Sequence, residues 1–157
     1  MMNDSFKIVP FTSAYAAAFK AINQQWIEQY FKMEPSDFKA LDHPQENIID
    51  QGGYIAVALL DKEVVGVCAL IKMDGNRFDY ELAKMGVTPK AQGKRVGYLL
   101  GEHIIAKAKS LGAKNIFIES NRVLVPAIKL YEKLGFVEIE GPPSPYERAD
   151  IQMEYRF

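Results

Sequence analysis

"AQGKRVGYLL" (residues 91–100) sets two glycines around two positive charges, directly after a strand-like segment, "FDYELAKMGV" (78–87), and directly before an apolar, helix-forming run. A helix N-terminus leaves its first backbone N–H groups unpaired, and the macrodipole adds about half a positive charge there. Glycine lets backbone approach a phosphate closely, and Lys94 and Arg95 add charge. Gln92, Gly93, Lys94, Arg95, Val96 and Gly97 therefore read equally as a phosphate cradle and as a strand-to-helix turn that is merely basic. Two familiar phosphate loops are excluded, because there is no G-x-x-x-x-G-K-[ST] and the glycines fall at 93, 97 and 101. That spacing of four predicts one helical face packed closely against a ligand or the sheet.

Working outward, "FKIVP" (6–10) reads as a strand and "SAYAAAFKAINQQWIEQYF" (13–31) as a helix capped by Ser13, with Phe19, Ile22, Trp26, Ile27 and Tyr30 at helical spacing. A short helix is predicted over Pro35–Leu41. Another is predicted within 42–53, opened by Pro44 and stopped by Gly52–Gly53. "YIAVALL" (54–60) and "VVGVCALIKM" (64–73) form an antiparallel pair, and "DGNR" (74–77) turns the chain into 78–87. A helical face runs from Val96 to Leu111 and stops at Gly112. Strand 115–120, helix 126–135, strand 136–140 and strand 149–157 follow. This order predicts an α/β (α+β) fold, a mixed, mostly antiparallel sheet of about seven strands with helices on both faces. With no internal repeat or linker, 1–157 is expected to be a single domain. "GPPSPYER" (141–148) is a proline-rich connection within it.

Composition narrows the function. The chain has 157 residues, 48% hydrophobic and 25% charged, and a net charge of −1. That charge offers no field for nucleic acid, so no nucleic-acid partner is expected. Four basic residues and no acidic one lie between Leu82 and Gly101, a local site suited to a small anion. No apolar run approaches the ~20 residues of a membrane span, and no membrane partner is expected. The start, "MMNDSFKIVP", lacks the basic and apolar regions of a secretory signal. A single cysteine, Cys68, fits a reducing cytoplasm and reads as a buried, inert strand residue. His103 reads as a packed histidine and His43 as a loop residue, and no metal-ligand spacing is present. A homodimer is the default expectation for assembly.

Two motifs resemble one family, the GNAT N-acetyltransferases. "PAIKLYEKLGF" (126–136) is similar to the family's A-x-x-L-Y-x-x-x-G-F signature, with Ala127, Leu130, Tyr131, Gly135 and Phe136 in place, and "ESNRVL" (119–124) resembles the S-N-x-x-L variant that precedes it. The family's acetyl-CoA loop, [RQ]-x-x-G-x-[GA], appears as Gln92-x-x-Arg95-x-Gly97. Arg95 stands where the family usually has its central glycine, which is expected to be tolerated if the backbone there is right-handed helical.

The resemblance implies an acetyl-CoA-dependent N-acetyltransferase acting by direct attack of a primary amine, from a small molecule or a peptide-like acceptor, without a metal. The alternative is a non-catalytic acyl-CoA-binding module on the same fold. An alkylamine with a pKa near ~10 must lose a proton before attack, and the departing thiolate must gain one. By resemblance Glu81 is the base, acting directly or through water, with partial burial raising its pKa; the alternative is a solvated carboxylate or one paired with Lys84. Asp79, two residues back on the same face, is the runner-up. By resemblance Tyr131 is the acid; otherwise it packs its ring in the core.

For the cosubstrate, resemblance implies that Met85, Gly86 and Val87 pair with the pantetheine arm. Gln92, Gly93, Lys94, Arg95, Val96, Gly97 and Tyr98 take its phosphates, and Asn121 bonds the arm from strand five unless it is an ordinary turn residue. Trp26 and Tyr30, in the stretch that also holds Phe31, Glu28, Glu34 and Asp37, are candidates for the acceptor side, against the reading of a core stripe with a solvated acidic face. By position alone, Arg148 is a candidate to face an acceptor carboxylate.

Overall fold

The computed structural model describes residues 5–75 and 77–157. The reading of the extreme N-terminus therefore rests on residues largely outside that range, as does residue 76 of the "DGNR" turn. Strands β1 (Phe6–Pro10), β2 (Tyr54–Leu60), β3 (Glu63–Lys72), β4 (Tyr80–Val87), β5 (Asn115–Ser120), β6 (Val137–Ile139) and β7 (Ile151–Arg156) form one seven-stranded sheet ordered β1-β2-β3-β4-β5-β7-β6. Only β4 and β5 are parallel; every other neighbouring pair is antiparallel.

Helices α1 (Ala16–Tyr30) and α2 (Pro35–Asp42) precede the meander, α3 (Val96–Ser110) links β4 to β5, and α4 (Val125–Leu134) follows β5. Ser13 does not cap α1; it begins a single 3-10 turn whose N-cap residue is Thr12. The segment after Pro44 winds into one π-helical turn, Gln45–Ile49. No described helix is long and apolar enough to cross a membrane.

Strand periodicity divides the apolar side chains into two cores. Ile55, Val57 and Leu59 of β2 face α1 and α2 with Phe19, Ile22, Ile27 and Leu41, while Ala56 and Ala58 face α3 with Leu100 and Ile104. Two bulges break this alternation. Ala58 pairs with Gly66 but Leu59 with Val64, so Val65 is extra on β3. Val67 pairs with Gly86 but Ala69 with Ala83, so β4 carries the extra residue, and Lys84 there is left-handed with φ 53°. Leu82 consequently joins the α3-side core while Lys84, two residues on, reaches Asp37 of α2.

The glycine row differs in part from expectation. A Cβ on Gly97 would lie 3.2 Å from Leu130 and one on Gly101 2.4 Å from Leu134, so both let α3 approach α4, and the Gly97 position also meets Met85 and Val87 of the sheet at 3.9 Å. Gly93, with φ 82°, precedes the helix and meets nothing.

Candidate active site

β4 and β5 pair only at Tyr80–Ile116 and Glu81–Phe117, then part. From Leu82 to Val87 the β5-facing edge of β4 thus has no strand partner, and a cavity of about 300 Å³ opens in the cleft. Glu81, Lys84, Met85, Gly86 and Val87 line it from β4, Glu119 and Ser120 from β5, Asn121 from the turn just after it, and Tyr131 from α4. Trp26 and Tyr30 of α1 and Phe31, Tyr146 and Arg148 close its other side. Both proposed chemical residues and all three acceptor-side candidates are therefore brought to one space.

Gly86 is where α1 comes closest to β4. A Cβ there would sit 2.8 Å from Ile22 and 3.1 Å from Trp26, whose indole N–H donates to Asn23 Oδ1 at 3.0 Å. Glycine thereby seats the indole against the β4 backbone.

Glu81 pairs across the sheet with Ile71, which packs in the α1-side core, so its carboxyl rises from that face. Burial lifts its pKa, the nearby Glu119 pushes the same way and Lys84 pulls against both, leaving it at about 7. Asp79 is not interchangeable with it. Asp79 Oδ2 accepts the Lys114 N–H at 2.7 Å, which ties it to the turn before β5. Tyr131 comes from the opposite face, edge-on to Phe136 at 6.2 Å, and burial, with Cys68 nearby, pushes its hydroxyl pKa up. Among the described residues it has no hydrogen-bond partner, so its proton is available to the cavity.

At the other end, Gln92 lines the cavity and donates to the Val87 carbonyl at 3.3 Å. Gly93, Lys94 and Arg95 are exposed beyond it, and the buried Val96 side chain leaves only backbone to offer. Leu99 N–H is bonded to Arg95 O, whereas the N–H groups of the first turn have no intrahelical acceptor. Arg95 is left-handed, φ 65°, so the right-handed backbone on which its tolerance was made to depend is not what the loop adopts. The non-glycine side chain is accommodated because it points into solvent and stacks over Tyr98 at 5.0 Å, with Lys133 on the same ring. These exposed N–H groups, the basic side chains around Tyr98 and the unpaired β4 edge fit a diphosphate joined to an extended amide-bearing arm.

Asn121 Nδ2 donates to Arg148 O at 2.6 Å, and Asn121 Oδ1 accepts Val123 N–H at 2.8 Å. It lines the cavity, but its established contacts anchor the 141–150 connection. Arg148 is likewise engaged. Its guanidinium donates twice to Asp37, both at 2.7 Å, and to Glu34 at 3.3 Å. Lys84 donates to Asp37 at 2.5 Å and to Tyr146 at 3.0 Å. Lys84 and Tyr146 also line the cavity and were not expected there, although a lysine between the apolar Ala83 and Met85 is itself a signal of a bulge or a buried charge. Away from the cleft, His103 bonds Tyr54 at 2.8 Å and stacks on it, as a packed histidine does. Cys68 is buried, and burial raises its thiol pKa.

The profile of the acetyltransferase (GNAT) family matches residues 19–136. An uncharacterized N-acetyltransferase of Schizosaccharomyces pombe is 25% identical over 78% of this chain and 76% of its own length. An IAA acetyltransferase of Azospirillum brasilense is 34% identical over 57% and 58%. An acetyltransferase structure from Staphylococcus aureus superposes with a TM-score of 0.86 at 19% identity, covering 97% of this chain and 99% of that one. The yncA structure from Salmonella typhimurium, solved with its cofactor acetyl-CoA, superposes at 0.78 and 20% identity over 97% and 94%.

Proposed function

Because the chain belongs to the acetyltransferase (GNAT) family, we propose that it transfers the acetyl group of acetyl-CoA by direct attack to a primary amine of a small molecule or peptide-like acceptor. The observation that carries this reading is the pair of opposed proton-handling groups in one cleft. Glu81, with a pKa of about 7, stands on the α1 face, and Tyr131, with its proton held firmly, stands on the α4 face.

The two groups divide the proton work. Near neutral pH about half of Glu81 is ionised and can take a proton from the incoming ammonium, which makes the nitrogen nucleophilic. Tyr131, neutral throughout that range, can give a proton to the departing thiolate. The pantetheine arm lies along the free edge of Met85, Gly86 and Val87, where a β4 N–H near Val87 polarises the thioester carbonyl. Gly93, Lys94, Arg95, Val96, Gly97 and Tyr98 take the phosphates through backbone N–H groups and surface charge. Cytoplasmic location, a dimeric assembly and a single-domain organisation belong to the same proposal.

Calorimetric titration with acetyl-CoA, followed by thiol release across a panel of primary amines, tests it. Saturable binding and thiol release matched by acetylated amine are expected. Failure to bind acetyl-CoA, or binding without release on any amine, would overturn it.

A further inference from the structure

The acceptor side of the cleft is electrically polarised. Glu81 and Glu119 rise from the strands, whereas Lys84 and Arg148 line the wall nearest α2, with Tyr146 between the two groups. The cations are held from behind. Asp37 accepts from Lys84 and twice from Arg148 and Glu34 accepts from Arg148, yet neither carboxylate lines the cavity. The Arg148 guanidinium is also fixed over the Tyr146 ring at 4.6 Å and over Phe31 at 5.8 Å.

A donor count shows what remains. Lys84 has three N–H donors, of which Asp37 and Tyr146 take two. Arg148 has five, of which three go to Asp37 and Glu34. One lysine N–H and two guanidinium N–H groups thus have no partner among the described residues, on side chains only 4% and 13% exposed. Asp37 is itself saturated, since it also accepts the Glu34 N–H and so takes four donors, while Glu34 accepts the Glu147 N–H beside Arg148. Buried cationic donors, oriented by carboxylates outside the cavity, face a space whose opposite end is acidic.

We propose that the acceptor is a free amino acid, its amine at the Glu81 end of the cleft and its carboxylate on the remaining N–H groups of Arg148 and Lys84. This rests on the reading of the chain as an acetyl-CoA-dependent N-acetyltransferase. A single group carrying both charges a few ångströms apart matches the polarity of the cleft, and its side chain meets the Trp26–Phe31 wall. A carboxylate-free amine leaves those three N–H groups to solvent within the cavity, and sites built to bond a polar group reject analogues lacking it.

The test compares each of the twenty L-amino acids with its decarboxylated amine, by thiol release from acetyl-CoA with the wild-type protein. At least one amino acid is expected to show kcat/KM ~100-fold or more above that of its amine. In Arg148→Gln that ratio should fall below about tenfold while acetyl-CoA affinity, measured separately, stays within about threefold. Amines acetylated as well as or better than their amino acids would overturn the inference and leave the acetyltransferase reading standing. Acetyl-CoA binding with no amino acid acetylated would overturn it too, and absent acetyl-CoA binding would remove the parent reading.

Discussion

The Lys84 ammonium lies 2.5 Å from Asp37 Oδ1, and the two side chains are 4% and 0% exposed. The pair joins β4 to α2 across 47 residues of sequence. It also fixes the left-handed bulge that turns Lys84 out of the alternation of its strand. Arg148 shares the same carboxylate, so the proline-rich connection before β7 is fastened to the same point. One buried carboxylate thus ties together three segments that wall the acceptor end of the cleft.

Asp37→Ala leaves Lys84 buried without its counter-ion and Arg148 with Glu34 alone, and a loss of roughly 3–5 kcal/mol is expected in urea unfolding. Burial alone would raise the Asp37 pKa, but hydrogen bonds from Arg148 and Lys84 bring it down to about 2. The folded state therefore binds this proton more weakly than the unfolded chain does. Its stabilisation is complete above pH ~4 and is lost as pH falls through ~2, an effect of roughly 2 kcal/mol that the alanine variant should lack.

Glu81 carries the opposite linkage. Its folded pKa of about 7 stands above the unfolded value of 4.5, so the folded state holds a proton that the unfolded chain has released. This contribution is fully present below pH ~4.5 and is lost as pH rises through ~7. Glu81→Gln should remove the loss and gain about 2.5 kcal/mol over wild type between pH 5 and pH 8, read from urea melts at both values. Parallel wild-type and variant curves would show that Glu81 titrates normally.

Tyr131→Phe removes the hydroxyl while keeping the ring against Phe136. A fall of about 10- to 100-fold in kcat is expected, with acetyl-CoA affinity within about threefold. Equal losses in kcat and affinity would mean that the hydroxyl binds rather than donates a proton.

At Arg95 the backbone is left-handed, a conformation that costs a non-glycine residue roughly 1–2 kcal/mol. Arg95→Gly should raise stability by somewhat under 1 kcal/mol, part of the relief being offset by the freer unfolded chain, and Arg95→Ala should not. Equal gains in both variants would place the effect in the side chain rather than in φ.

Local signals made most of the fold legible. The continuous apolar run in 54–60, the glycine stop at Gly135 with φ 113° and the unbroken 126–136 signature each depend on neighbours in sequence. The element order follows from them. The lining of the candidate cleft was legible where a short motif carries it, as at Tyr131 and Gln92, and where a strand residue faces the cleft, as at Glu81.

What escaped depends on distant partners. The anchoring of Arg148, read from sequence only as a candidate to face an acceptor carboxylate, was hidden because Asp37 and Glu34, which hold it, lie 111 and 114 residues away. Asp79 shares strand parity with Glu81, but a loop N–H from Lys114 claims it. The handedness of Arg95 and the bulge at Lys84 are backbone states that residue type disfavours, and packing around them decides the outcome.

The most direct test of the account is kcat/KM for the acceptor against pH, for wild type and Glu81→Gln. The account predicts a wild-type limb rising with an apparent pKa near 7, and a variant slower by about 100-fold or more in which that limb is gone. A Glu81→Gln protein that keeps the wild-type rate and the same limb would contradict it.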